Sequence, residues 1–289
     1  MSGPAIFVHI PKTGGSSLRQ VLAGHFDDDH VWTAVVPDPQ ARAFLRDQGP
    51  RPAAHSAGAR DYNRPYVTRL AELPAERRAS LRLVQGHFWY GIHEELPAPA
   101  TYLTMLRDPV ERVLSLYQHR VNNHGLDVAL EAYLGAVRDW EIDNGQTRRL
   151  CGSRDGDLRH RPCTDDLLAQ AKANLADFTF VGVNERFDES LVLLRRTMGW
   201  PRAAWTRRNV TPKRLRRSDL PAATRRLLED HNQADAELHR FATAIFEERW
   251  AAAPGADREA SSLRRRKAAQ ERIRPVLVRA RAGLRRVLR

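Results

Sequence analysis

The feature that most constrains this chain is an apolar strand that runs directly into a glycine turn and then a helix. Ala5–Ile10 (AIFVHI) is a short apolar run rich in β-branched residues, the pattern of a buried strand. Pro11–Gly15 is a turn, and Ser16–Ala23 reads as a helix with Leu18 and Leu22 one turn apart on one face. A helix start offers unpaired N–H groups and a partial positive charge. Gly14 and Gly15 let the backbone approach an anion closely and accept positive φ. Lys12 adds a point charge, and Thr13, Ser16 and Ser17 add hydroxyl donors. Together they form a cradle for a phosphate-like anion. The loop is not a Walker A sequence, which places its Lys after the glycines; here Lys12 precedes Gly14. An ordinary βα turn with a surface lysine is the competing reading of the same spacing.

Three more apolar runs read as strands: Arg82–Gly86 (RLVQG), Thr101–Leu106 (TYLTML) and Phe178–Val183 (FTFVGV). Helical patterns cover Val110–Asn122, Leu126–Asp139, Asp165–Leu175 behind a Thr164 cap, Asp188–Met198, and Pro221–Trp250 as one helix or a pair. Residues 37–80 are irregular, with short helices near Ala41–Asp47 and Ala75–Leu81. The alternation predicts an α/β fold: a P-loop-like, mostly parallel sheet flanked by helices on both faces. Ligands of such folds bind at the carboxyl ends of the strands.

A second motif falls at such an end, TMLRDPVERVLSLYQH from Thr104 to His119. Arg107 ends its strand, and Ser115 follows about two helical turns later. Arg offers a planar fork for a phosphate and Ser a short donor. Arg112 competes for that role, and pairing of Arg107 with Asp108 is the bland alternative. Two βα units that each offer an anion group suggest a nucleotide with separated phosphates.

Charge bears on partners. The 289 residues carry 47 Lys and Arg against 35 Asp and Glu, a net +12. Residues 255–289 hold 12 of the bases and only three acids, so +9 of that charge lies in the tail. The expected organisation is a domain over 1–252 and a basic amphipathic helical tail over 253–289. Ile273, Leu277, Ala280, Leu284 and Leu288 share one helical face of that tail amid arginines, which reads as a membrane-surface or acidic-partner element. No apolar run approaches the roughly 18 residues needed to span a bilayer. The start lacks a secretory pattern, so a cytoplasmic location, peripheral to a membrane through the tail, is expected. Cys151 and Cys163 are the only cysteines, too few for a disulfide framework or a metal site, and read as reduced thiols.

Taken together, FVHIPKTGGSSL and TMLRDPVERVLSLYQH resemble the 5′-phosphosulfate and 3′-phosphate motifs of sulfotransferases that use 3′-phosphoadenosine-5′-phosphosulfate (PAPS). The resemblance is to the carbohydrate branch, which includes the heparan and uronyl 2-O-sulfotransferases (sulfotransferase family 2) and bacterial relatives. It extends to VQGHFWYG (Val84–Gly91), DNGQTRRLCG (Asp143–Gly152), Phe180–Trp200 and Asp235–Phe246, and so touches about residues 5–250. It implies that Lys12, Thr13, Gly14, Gly15, Ser16 and Ser17 hold the phosphosulfate, with Lys12 also catalytic. Arg107 and Ser115 would hold the 3′-phosphate, and Asn209 and Lys213 would belong to a loop over the nucleotide. His87 matches the position of the base that activates an acceptor hydroxyl. His93, Asn144, Gln146 and Arg148 are candidates for the acceptor pocket.

Sulfuryl transfer needs in-line positioning and stabilisation of charge on the leaving phosphate oxygen, which Lys12 and helix N–H groups can supply without a metal. The product would be 3′-phosphoadenosine 5′-phosphate (PAP), and the acceptor a carbohydrate or glycolipid, with no specific nucleic acid. A P-loop kinase or other phosphotransferase, a tyrosyl-protein sulfotransferase and a tail-driven nucleic-acid or membrane binder are the rival readings.

Overall fold

The structure, a computed structural model, describes residues 3–34, 70–136, 140–152, 162–200 and 215–269. Five strands form one sheet: β1 Ala5–Val8, β2 Val31–Ala34, β3 Leu83–Gly86, β4 Thr101–Leu106 and β5 Phe180–Val183. Their order is β2-β3-β1-β4-β5, and every pairing is parallel. Parallel sheets need cover on both faces, so their strands are continuous apolar runs; β1, β3 and β5 are buried at every position. The expected α/β architecture is therefore present. β2 lies outside the four runs read as strands; Val31, Trp32 and Thr33 are half-buried at the sheet edge and only Ala34 is buried.

The helices are α1 Gly15–Ala23, α2 Ala75–Ser80, α3 Pro109–His124, α4 Leu130–Ala136, α5 Gly145–Leu150, α6 Asp165–Ala176, α7 Phe187–Thr197, α8 Ala222–Asp230 and α9 Gln233–Ala251, with α10 over residues 256–269. The helix expected from Leu126 starts later, because Gly125 turns left-handed and the Leu126 N–H donates back to the Arg120 carbonyl. The run read as one long helix or a pair is a pair, α8 and α9, broken at His231–Asn232. Pro109 occupies the first turn of α3, as its missing N–H permits. Thr164 sits at the start of α6 without a side-chain cap bond, and Asp165 and Asp166 complement the helix dipole there.

Helices cover the two faces of the sheet over separate cores. One face packs Phe7, Leu83, Leu103 and Met105 against Leu18 and Leu22 of α1, Leu191 and Leu194 of α7, and Phe246 of α9. The other packs Ile6, Val8, Val84 and Val181 against Leu175 of α6 and Leu238 of α9. The core does not stop at residue 252. Ala256, Ala260 and Leu263 of α10 are buried in the first cluster, and Glu259 pairs with Arg195 and Arg196 of α7. The apolar face expected from Ile273 onward lies outside the described residues, as does the helix near Ala41–Asp47. Among the described residues, no helix is long and apolar enough to cross a membrane. Cys151 and Cys163 both carry free thiols.

The topology fixes where a ligand can bind. The chain leaves β1 for β2 on one side of the sheet and reaches β4 on the other, so the connections diverge at the carboxyl end of β1. Val8 is in register with Gly86 of β3 and Thr104 of β4. The segments that follow three adjacent strands therefore emerge side by side.

Candidate active site

The loop after β1 is shaped by two side chains from elsewhere. Lys12 has φ 68° and Gly14 φ 88°, both left-handed. Such a conformation is costly for a residue with a Cβ and persists where the surroundings enforce it. The Arg107 Nη1 donates to the Lys12 carbonyl at 2.9 Å, and the Asn184 Nδ2 donates to the Thr13 carbonyl at 3.0 Å. With these carbonyls engaged, α1 starts at Gly15 with no side-chain cap and no acid in its first turn. Its first N–H groups are thus free of side-chain caps, the arrangement an anion needs. A Cβ on Gly14 would come within 2.5 Å of the Asn184 amide nitrogen, so the glycine is required by space as well as by φ. Lys12 is half-buried, Ser16 exposed and Ser17 buried. The Thr13 hydroxyl turns inward, fully buried, and donates to the Ile10 carbonyl at 2.9 Å.

Arg107 and Arg112 divide as their burial dictates. Arg112 is completely buried and lies 3.6 Å from Glu141 and 3.7 Å from Asp235, a neutralised internal cation. Arg107 is 5% exposed and reaches the loop, with Glu111 3.4 Å away. The N-terminus of α3 itself is closed by Asp108, whose carboxylate accepts from the Glu111 N–H. The second βα unit therefore contributes the Arg107 side chain rather than a second open helix end. Ser115 is half-buried on α3, and among the described residues its hydroxyl makes no hydrogen bond.

His87 follows the last residue of β3. Its Nδ1 lies 2.7 Å from the His9 carbonyl. A carbonyl can only accept, so Nδ1 carries the proton and Nε2 keeps its lone pair. Burial, then the nearby Arg149 guanidinium, push the His87 pKa down to about 3, against a smaller upward pull from the His9 carbonyl; Arg19 and Lys12 act in the same downward sense. The ring is thus neutral at neutral pH. His9 itself is 3% exposed and stacks on Phe7 on one side, with the His87 ring 4.2 Å away on the other.

The polar cluster of α5 is placed as scaffold. Gln146 is fully buried; its Oε1 accepts from the Arg107 N–H at 3.1 Å and its Nε2 donates to the Arg107 carbonyl at 2.9 Å. Arg148 is 1% exposed and donates to the Asp143 carbonyl and carboxylate. The Asn144 Oδ1 accepts from the Asp235 N–H, while the Asp235 carboxylate accepts from the N–H groups of Gln146 and Thr147. These bonds are internal, and Gln146 sets the Arg107 backbone in place. His93 is tied to the Tyr102 hydroxyl at 2.8 Å, near the start of β4 rather than beside His87. Trp89 stacks on Trp140, and Tyr90 packs with Tyr102 and Phe178. Asn209 and Lys213 lie outside the described residues.

Sequence spacing could not find Asn184, Arg149 or Asp235, because their partners are far away along the chain. A cavity of about 140 Å³ lies apart from this edge, lined by His25, Trp200, Leu191 and Leu263 among others.

The fold and this edge define a class: a parallel α/β protein whose central strand end joins an open helix N-terminus, a buried arginine and a neutral histidine. No protein-family model matches the chain. It is 28% identical over 285 residues to galactose-3-O-sulfotransferase 3 of Bos taurus, covering 92% of this chain and 62% of that protein. To the Homo sapiens protein of the same name it is 27% identical over 277 residues, covering 89% and 60%. The chain spans about three fifths of the length of these curated relatives. Among solved structures it is similar to a sulfotransferase from Alicyclobacillus acidocaldarius, at 17% identity and TM-score 0.38, over 82% of this chain and 97% of that one.

Proposed function

We propose that this protein is a sulfotransferase that moves a sulfuryl group from PAPS to a hydroxyl of a carbohydrate or glycolipid. The observation that carries the reading is the common register of β1, β3 and β4. It sets the α1 N-terminus with Lys12, the His87 ring and Arg107 at one sheet edge. The likeness to galactose-3-O-sulfotransferases supports the same reaction class.

The residues fit an anionic donor. The uncapped start of α1, Lys12 and the Ser16 hydroxyl would hold the phosphosulfate, and Arg107 with Ser115 the 3′-phosphate. The donor supplies the sulfuryl group and a phosphate leaving group. His87 Nε2 takes the acceptor proton as the new O–S bond forms and the bond to phosphate breaks. Lys12 and the helix N–H groups stabilise the charge that develops on the departing oxygen. No metal enters this scheme. A cytoplasmic site of action, with the basic tail at an anionic membrane surface, belongs to the same proposal.

The test is a thermal shift with PAP against ATP-Mg²⁺, followed by transfer of labelled sulfate from PAPS to galactose-terminated glycans. PAP should stabilise the protein and ATP-Mg²⁺ should not. A preference for ATP-Mg²⁺, with phosphate rather than sulfate transferred, overturns the proposal in favour of a kinase.

A further inference from the structure

Gly15 has no left-handed φ to explain it. What requires a glycine there is a neighbour. A Cβ on Gly15 would lie 2.0 Å from His9 Cδ2 and 2.3 Å from His9 Nε2, inside any real contact distance. The His9 ring is thus seated against the first residue of α1. Its other neighbours are fixed as well: Phe7 stacks at 5.6 Å and 13°, and the His87 ring stands 4.2 Å away. The same residue's carbonyl accepts the His87 Nδ1–H. His9 Nδ1 is buried and, among the described residues, has no hydrogen-bond partner. Such a buried polar atom costs free energy in the fold and is best explained by a role for the ring that a phenyl or alkyl group would not fill.

We propose that His9 is a positioning residue: wedged between Gly15 and His87, it couples the orientation of the base to the loop that holds the anion, and Gly15 is a glycine to admit that wedge. This rests on the reading of His87 as the base. It separates the two glycines of the loop. Gly14 serves the backbone turn, whereas Gly15 serves the histidine pair. A loop displaced by bound donor would then shift the His9 ring, and with it His87, because both contacts are packed rather than through solvent.

The experiment uses the full chain labelled with ¹⁵N and compares Gly15→Ala, His9→Ala and the double variant. In the unaltered protein, long-range ¹H–¹⁵N spectra should show His87 fixed in the Nδ1–H tautomer. Both single variants should move the His87 nitrogens toward tautomer averaging. They should lower kcat for sulfate transfer by about 10–100-fold, the scale of a misplacement near 1 Å, and in His9→Ala, which leaves the loop's own atoms in place, the loss should fall on kcat rather than on PAP affinity by calorimetry. Once His9 is alanine, Gly15→Ala should add no further loss, since the clash is gone. Equal damage from Gly15→Ala in both backgrounds, or unchanged His87 signals in His9→Ala, overturns the inference. If Gly15→Ala does not fold, recovery of folding in the double variant supports the clash, and failure to recover counts against it. Absence of PAP binding or transfer in the unaltered chain would instead sink the functional reading, with the tautomer result still deciding the role of His9.

Discussion

The Arg107 guanidinium donates to the Lys12 carbonyl at 2.9 Å, so the second motif props up the loop of the first. This bond explains how Lys12 is held at φ 68° without being a glycine. Arg107 would then act twice on a bound nucleotide, by direct charge and by holding the loop open. Arg107→Ala should abolish PAP-dependent stabilisation and lower intrinsic stability by about 2 kcal/mol, the scale for a hydrogen bond to a charged group. Arg107→Lys should recover less than half of either, because an ammonium lacks the planar fork. Thermal shift with and without PAP reads both numbers. Full recovery by lysine would mean that only charge matters there.

Gln146 grips both backbone groups of Arg107 from a fully buried position. Gln146→Ala should therefore weaken PAP binding without removing any group that touches PAP. The loss should exceed that from Arg148→Ala, whose bonds run to Asp143. Calorimetric titration of both variants with PAP checks the order, and the reverse order would place Arg148 rather than Gln146 behind the anion site.

The His87 pKa, held at about 3 by burial and then by Arg149, lies below the unfolded value near 6.5. The unfolded chain thus binds a proton that the folded chain refuses. The corresponding stability is complete above pH 6.5 and is lost as pH falls from there toward 3. His9 is lowered in the same direction, first by burial and then by the His87 charge. The melting temperature should fall more steeply between pH 7 and pH 4 in the unaltered protein than in His87→Gln, and parallel slopes would contradict the assignment. The same sign places the acid limb of kcat/KM below pH 6.5. PAP, being an anion near Arg149, Arg19 and Lys12, should raise the His87 value on binding, which an NMR titration would register.

Glu141 and Asp235 neutralise Arg112 and Arg149 in a network with almost no exposure. Arg149 also lies over the Trp140 ring, 4.7 Å from its centroid. Removing one member of a buried ionic set leaves an uncompensated charge and costs about 3–5 kcal/mol. Glu141→Gln or Asp235→Asn should each cost that much in denaturant unfolding. Glu141→Gln should in addition lower the His87 pKa further, since Arg149 then acts undiluted. A loss under about 1 kcal/mol would show that water screens the network.

The parts of this picture visible in sequence were those written locally. AIFVHI and TYLTML declare buried strands by their mostly apolar runs, and PKTGG declares a turn before a helix. The edge strand β2, VWTA, is also mostly apolar, but it is short and only Ala34 in it is fully buried. The α5 helix is not legible in sequence because its GQTRRL is polar yet wholly buried, stabilised by Asp235 from far along the chain and by Glu141 just before it. Lys12, His87 and Arg107 lie in the segments that follow β1, β3 and β4. Spacing does not distinguish groups that face an anion from groups that hold the frame; the Thr13 hydroxyl and the Gln146 amide both bond within the fold. Nor could it tell that Gly15 answers to His9, a contact across the turn that no periodicity encodes.

The basic tail opens with α10, residues 256–269, and the sequence beyond that helix is richer still in arginine. The first part, α10, is bound to the body. Ala256 and Ala260 are buried, Trp250 Nε1 donates to Asp257 at 3.2 Å, Glu259 bridges Arg195 and Arg196, and Lys267 pairs with Asp188 at 3.2 Å. The last part, residues 270–289, carries seven arginines against one acid, with apolar residues at helical spacing. Removing 255–289 should therefore lower the melting temperature by several degrees, because it uncovers Phe246, Leu191 and Leu194. Removing 270–289 alone should leave PAP binding unchanged, yet abolish binding to vesicles rich in anionic lipid, at about 1 kcal/mol per basic residue near the surface. Vesicle flotation at low and high salt with both truncations makes the comparison, and retained flotation without 270–289 would assign the membrane contact to another surface.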